Sequence, residues 1–135
     1  MQNMSSDKSA LGLDANVVAG LCYVGNLVCA LGLILSIVTI VTDKTNKLAR
    51  FHAFQSIFLS VLGFVLGFIY WIVAIVGIVL DRSLGFPIFS LLLTLLVLLI
   101  ALVLFIGTVF AAIKAFQGQI FKLPVIGKFA DQYSN

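Results

Sequence analysis

Apolar residues come in three long uncharged runs, and short polar segments separate them. The runs cover 15–42, 51–80 and 88–113, and the polar segments cover 1–14, 43–50, 81–87 and 114–135. About 20 consecutive apolar residues are enough to cross a hydrocarbon core of roughly 30 Å. The pattern therefore predicts an all-α polytopic integral membrane protein, a single membrane domain over 1–135, in which each run forms one transmembrane helix.

Small and weakly polar residues recur along each run at steps of three and four. In lipid, helices associate through close packing over small side chains, because the surrounding acyl chains are as apolar as leucine. We therefore predict that the three helices pack through small-residue stripes. The positions predicted to make these contacts are Gly25, Cys29, Gly32, Ser56, Ser60, Gly63, Gly67 and Ala101.

The two cysteines, Cys22 and Cys29, lie on the first stripe. Seven residues of helix rise by about 10.5 Å, which is farther than a disulfide can bridge. We therefore predict that both are small packing side chains. No further cysteine exists to complete a metal site, and none is expected.

The second run is longer than one crossing requires. Tyr70 and Trp71 lie about 20 residues after its first residue, Phe51, where an aromatic belt at the opposite interface is expected. Residues 72–80 extend beyond that point. Either this helix tilts strongly, or its end is covered by protein beyond the lipid.

Composition and charge agree with a membrane protein. With 62% hydrophobic and 10% charged residues, the chain cannot form a water-soluble surface. Six basic residues lie in segments 43–50 and 114–135, against Lys8 and Arg82 in the other two, and the positive-inside rule then predicts an N-terminus outside and a cytoplasmic C-terminus. We expect anionic lipid headgroups or partner subunits, and no nucleic acid, at these six: Lys44, Lys47, Arg50, Lys114, Lys122 and Lys128.

The basic C-terminal tail, 114–135, mixes apolar residues with lysines. Gly118 is predicted to end the third helix, and Pro124 marks a later turn. The tail either lies at the headgroup boundary or folds back over the cytoplasmic end of the bundle.

His52 is the single histidine and falls on the packing stripe of the second run. We expect it to bond to a backbone carbonyl or to Gln55 of a neighbouring chain. The alternatives are axial ligation of a haem or chlorin and a headgroup contact shared with Arg50. The five aspartates all flank the apolar runs, so no carboxylate pair for catalysis is formed. We expect no enzyme activity, no catalytic residue and no resident cofactor or metal.

Four short segments carry a resemblance to a known family. They read Leu-Gly-Leu-Asp-Ala-Asn at 11–16, Arg-Phe-His-Ala-Phe-Gln-Ser at 50–56, Lys-Ala-Phe-Gln-Gly at 114–118 and Lys-Leu-Pro-Val-Ile-Gly at 122–127. In this order they resemble small prokaryotic membrane proteins of unknown function related to the chloroplast inner-envelope protein import component of about twenty kilodaltons. The plant relatives are described with four crossings, one more than the runs predict here.

The resemblance implies the cell (inner) membrane of a prokaryote. It implies a non-enzymatic accessory, assembly or protein-import-component-like factor that acts by packing its helices against partners or copies of itself. The alternative is a peripheral transmembrane subunit of a larger energy-transducing or transport complex, with or without pigment or haem contact.

Overall fold

The computed structural model describes residues 8–28 and 31–134. It contains α1 (Ala15–Val28), α2 (Leu31–Thr42), α3 (Lys47–Leu84), α4 (Ile88–Phe116) and α5 (Ile126–Ser134). The predicted all-α class is confirmed for the described residues. Contacts group them into unit 1, within Met1–Ser60 and Gly107–Asn135, and unit 2, Val61–Ile106.

The first apolar run forms two helices. A Cβ added at Gly25 would lie only 2.6 Å from the backbone nitrogen of Gly32, whereas one continuous helix would separate these positions by about 10.5 Å. The prediction of a single transmembrane helix over 15–42 is therefore corrected: α1 and α2 pack side by side as a helical hairpin. Cys29 lies outside the described residues.

The two ends of the α1–α2 hairpin are tied together next to the start of α3. The backbone N–H of Ala10 donates to Oδ2 of Asp43 at 3.3 Å, and the N–H of Asn46 donates to Oδ1 of the same carboxylate at 3.2 Å. The Arg50 guanidinium donates to the carbonyls of Ile40 and Asp43 at 3.5 and 3.4 Å. Carbonyl groups at the end of a helix have no backbone N–H partner within that helix, and Arg50 supplies donors to two of them at the end of α2.

Among the described residues, two helices are long and apolar enough to cross a membrane: α3 with 38 residues and α4 with 29. α3 contains the second apolar run and extends beyond it at both ends, to Lys47 and Leu84. α4 contains the third apolar run and extends beyond it to Phe116. The Asp81 carboxylate accepts the backbone N–H groups of Phe89 and Ser90 at 3.0 and 3.1 Å. Asp81 therefore caps the first turn of α4.

The part of α3 covered by protein is its beginning. Leu48, Ala49, Phe51 and Ala53 are fully buried in unit 1. In contrast, residues 72–80 in unit 2 are mostly exposed, apart from Gly77, which faces the Phe89 ring. Within the part of the chain that the structure describes, the end of the second apolar run is therefore left mostly uncovered.

One buried hydrophobic cluster of unit 1 consists mostly of alanines around a tyrosine. The buried cluster contains Ala19 and Tyr23 from α1, Ala111, Ala112 and Ala115 from α4, and Leu123 from the segment that follows α4. The Phe116 ring packs against Gly20, where a Cβ would lie 2.5 Å from ring carbons. Small residues thus allow α1 to approach the end of α4 closely.

The chain reverses direction after α4. Gly118, at φ 69°, and Gln119 donate backbone N–H groups to Ala115 and Lys114 at 2.9 Å, which is a Schellman motif. The predicted helix stop at Gly118 is confirmed. Leu123 then contacts Gly107, nine residues before the end of α4, so the segment after α4 folds back along the end of that helix.

Helix α5 packs on the start of α3. The Phe129 ring lies 6.3 Å from that of Phe58, and the Tyr133 ring lies 6.2 Å from that of Phe54. Phe129 and Tyr133 are half exposed, while Ala130 is buried. The predicted interfacial tail is therefore partly a packed element of unit 1.

Candidate functional site

Polar side chains gather inside unit 1, where α1, α3 and the segment after α4 meet. We call Tyr23 and Asn26 of α1 together with His52, Gln55 and Ser56 of α3 the polar cluster. Tyr23, His52, Gln55 and Ser56 are fully buried. Gln55 and Ser56 lie three and four positions after His52, so both are neighbours of His52 on the helix surface.

The partners of His52 define its tautomer. Its Nε2 lies 3.1 Å from the carbonyl oxygen of Gln119, which can only accept, so Nε2 carries the proton. In the neutral ring Nδ1 is then an acceptor, and the Tyr23 hydroxyl donates to it at 2.9 Å. Both ring nitrogens are therefore occupied by hydrogen bonds inside the chain.

Two further side chains donate to backbone carbonyls at the end of α4 and beyond. Gln55 Nε2 donates to the carbonyl of Phe121 at 3.2 Å, and Asn16 Nδ2 donates to that of Phe116 at 3.0 Å. Backbone carbonyls at and beyond the end of a helix have no partner within the helix and need other donors when they are buried. Asn16, His52 and Gln55 together supply such donors for the chain that folds back after α4.

Ser56 joins α3 to the far end of the α1–α2 hairpin. Its hydroxyl donates to the Cys22 carbonyl at 2.9 Å and accepts from Asn26 Nδ2 at 2.6 Å. Gly32 of α2 lies against the same place, because a Cβ there would collide with the Cys22 carbonyl oxygen and the Asn26 backbone nitrogen. The close approach of α1, α2 and α3 therefore depends on these groups.

The geometry of the polar cluster is that of a structural site. The Ser56 hydroxyl donates to a backbone carbonyl, so Ser56 and His52 do not form a nucleophile and base pair. Axial ligation of haem or chlorin needs a ring nitrogen free to bind metal. The buried His52, bonded at both nitrogens, does not fit that role. It does have the backbone carbonyl partner that the sequence favoured.

Arg50 is partly buried and contacts other groups of the same chain. Besides its bonds to the end of α2, its guanidinium lies 5.9 Å from the centre of the Phe54 ring. This geometry is a cation–π contact. The bonds to the carbonyls of Ile40 and Asp43 join Arg50 of α3 to the end of α2, and its predicted headgroup contact stays a prediction.

The predicted lysines divide into bonded and exposed groups. Lys114 Nζ donates to Gln119 Oε1 at 3.0 Å, and Lys122 Nζ pairs with Asp131 Oδ2 at 2.8 Å. The hydrogen bond from Lys122 lowers the pKa of the Asp131 carboxyl. The remaining residues of this group are exposed or half-buried: Lys44, Lys47 and Lys128.

The predicted packing residues also divide into two groups. Gly25, Gly32 and Ser56 make close contacts in unit 1, and the Ser60 hydroxyl donates to the Ser56 carbonyl of its own helix at 3.0 Å. In unit 2, a Cβ added at either Gly63 or Gly67 would meet nothing within 4 Å, and Ala101 is exposed.

Several residues of the polar cluster and its surroundings were not predicted from the sequence. Asn16, Tyr23 and Asn26 bond to α3 or to the end of α4, yet none was predicted to do so. Their spacing of seven and three residues places them on one face of α1. Three polar side chains on one face of an otherwise apolar helix are the signal that could have identified them.

Sequence comparisons place this chain among known proteins. Residues 14–130 match the family described as the magnetosome magnetite crystal formation protein family. A UPF0132 membrane protein of Methanocaldococcus jannaschii is 37% identical over 127 residues, which cover 94% of each chain. No solved structure matches, and neither comparison shows a link to chloroplast protein import. The chain therefore belongs to the magnetosome magnetite crystal formation protein family and is similar to small prokaryotic membrane proteins of unknown function.

Proposed function

We propose that this chain is a non-enzymatic integral membrane protein that acts as an accessory or assembly factor. It acts by packing its long helices against other membrane proteins or against copies of itself. The observation that carries this proposal is the exposure of apolar side chains along both helices of unit 2. Phe64, Phe68 and Leu98 are 84%, 62% and 66% exposed, which leaves a large helical surface for lipid or another helix.

The polar cluster supports a role without catalysis. Both nitrogens of His52 and the hydroxyl of Ser56 are engaged with groups of the same chain. A general base or a nucleophile must instead reach a substrate. These bonds favour a structural role for the polar residues.

Open space at two glycines of α3 supports helix association as the mode of action. Gly63 and Gly67 lie one turn apart, and neither is covered by the chain itself. Small residues at this spacing let the backbone of a second helix approach closely.

The double substitution Gly63→Leu/Gly67→Leu is expected to reduce the size of the assembly. Two leucine side chains would fill the space that a neighbouring helix would occupy. The measurement is native mass in mild detergent, compared with the unmodified protein. Val61→Leu/Val65→Leu is the matched control, since these exposed residues lie on the opposite face of α3 and should leave the mass unchanged. Equal masses for the glycine variant and the unmodified protein would contradict association through this face.

The proteins that co-purify in that measurement distinguish an accessory factor from a subunit of a larger complex. Recovery in a fixed ratio with large subunits favours a peripheral subunit of a larger complex, and recovery as a small oligomer favours an accessory factor. An import-component-like role rests on the sequence resemblance alone. The magnetite description belongs to the family, and the proposed role does not depend on it.

A further inference from the structure

We propose that the α1–α2 hairpin is a re-entrant insertion. It enters one leaflet from the side of its two ends, turns within the bilayer and returns to the same side, with acyl chains covering its outer face. This inference goes beyond the proposed function, which requires only α3 and α4.

The lengths of the helices are the first argument. α1 and α2 have 14 and 12 residues, which correspond to about 21 and 18 Å at 1.5 Å per residue. Both are shorter than a hydrocarbon core of roughly 30 Å. Neither helix is therefore long enough to cross by itself.

Contacts with α3 locate both ends of the hairpin. The Ala10–Asp43 bond joins its open end just before α3 begins. Its far end is held by the bond from Asn26 to Ser56, and Ser56 lies nine residues after Lys47, or about 14 Å along α3. The hairpin thus follows α3 over a distance close to the thickness of one leaflet.

The chemistry of the outer face matches the acyl chains of a leaflet. The residues near the turn, Val28 and Leu31, are 73% and 60% exposed. Further exposed apolar side chains continue along both helices: Leu27, Ile34, Ile37, Val38 and Val41. Charged residues occur at the open end, where Lys8, Lys44 and Asp14 are exposed, so cations outnumber the anion among these three. Apolar residues at the closed end and cations at the open end fit lipid tails and anionic headgroups respectively.

Polar groups within the hairpin are satisfied internally, as a lipid environment requires. The hydroxyls of Ser36 and Thr39 donate to the carbonyls of Gly32 and Leu35, four residues earlier, at 2.6 and 2.8 Å. The Asn26 amide donates to Ser56. The hairpin therefore presents apolar surface outward without leaving these side chains unpaired.

The proposal changes the topology predicted from the sequence. With a re-entrant hairpin, Lys8 lies on the same side as the α2–α3 loop and the C-terminal tail. Of the eight Lys and Arg residues, seven are then on that side, and only Arg82 is on the other. This split is more asymmetric than the six against two of the three-crossing arrangement, and it follows the positive-inside rule with both termini cytoplasmic.

Labelling of single cysteines in intact cells tests the topology. The variants Lys8→Cys, Lys44→Cys and Ser83→Cys are made in a Cys22→Ala/Cys29→Ala background and treated with a membrane-impermeant maleimide. We expect Ser83→Cys to react and both Lys8→Cys and Lys44→Cys to be protected until the cells are opened. Reaction of Lys8→Cys in intact cells would mean a single crossing and would overturn the proposal.

A probe at the closed end tests which material covers it. A fluorophore attached to Val28→Cys in the same background, in reconstituted vesicles, should be quenched by lipids brominated along their acyl chains. Val28→Cys should also resist the impermeant reagent in intact cells. Reaction there would show that the hairpin crosses twice, and the absence of lipid quenching would show that a second copy or another protein covers this end. Either result would overturn the re-entrant insertion.

Discussion

Gly32→Ala is expected to destabilise the protein by about 1–3 kcal/mol, the usual cost of overpacking a tight contact. The new Cβ would collide with the carbonyl oxygen of Cys22 and the backbone nitrogen of Asn26. These are backbone atoms of α1, so no flexible side chain can move aside. Thermal unfolding of the purified protein in detergent measures the effect.

Gly63→Ala is the matched control for this substitution. The same methyl group is added to a helix, but a Cβ at Gly63 meets nothing within 4 Å. Alanine favours the helix by about 1 kcal/mol over glycine and is itself small enough for a neighbouring helix to pack against, so stability should be unchanged or slightly higher. If Gly32→Ala proved as stable as Gly63→Ala, the close packing of α1 and α2 would be wrong.

His52→Leu should release the chain that follows α4. The substitution removes the donor to the Gln119 carbonyl and the acceptor of the Tyr23 hydroxyl. Leaving a buried polar group unpaired costs about 1–3 kcal/mol in soluble proteins, and hydrogen bonds between membrane helices average about 0.6 kcal/mol. We expect a lower unfolding temperature and faster tryptic cleavage at Lys122, followed by mass spectrometry.

Two companion variants show whether the loss of stability and of protection from trypsin arises from the hydrogen bonds of His52. Tyr23→Phe keeps the His52 bond to Gln119 and should have a smaller effect on cleavage at Lys122. Ser60→Ala removes only a bond to the carbonyl of Ser56 in the same helix and should leave cleavage unchanged. If His52→Leu behaved like Ser60→Ala, His52 would have no role in holding the tail.

The helical class and the two long helices could be predicted from the sequence because uncharged runs of this length have few alternatives in lipid. The break in the first run could not. α1 ends at Val28 and α2 begins at Leu31, and the sequence has no proline, glycine or charged residue there to interrupt the apolar pattern. Gly25 and Gly32 were interpreted as one stripe facing another helix, yet they lie against each other.

The polar cluster was only partly predictable for a related reason. A single histidine on a packing face draws attention to His52, and the sequence predicts a backbone carbonyl or Gln55 of a neighbouring chain as its partner. That carbonyl belongs to Gln119, 67 residues away in sequence. Every residue has a backbone carbonyl, so the sequence does not show which one accepts a hydrogen bond from a side chain. The carbonyl of Gln119 reaches α3 only because the chain reverses direction after Gly118, and this reversal depends on tertiary contacts.

The most direct test of the proposed function is the native mass of the unmodified protein, extracted from its own membrane in mild detergent, with co-purifying proteins identified by mass spectrometry. A packing function predicts an assembly larger than one 14.6 kDa chain, made of copies of this protein or of this protein with fixed partners. Recovery as single chains without partners, in a detergent that preserves other membrane complexes of the same cells, would contradict it.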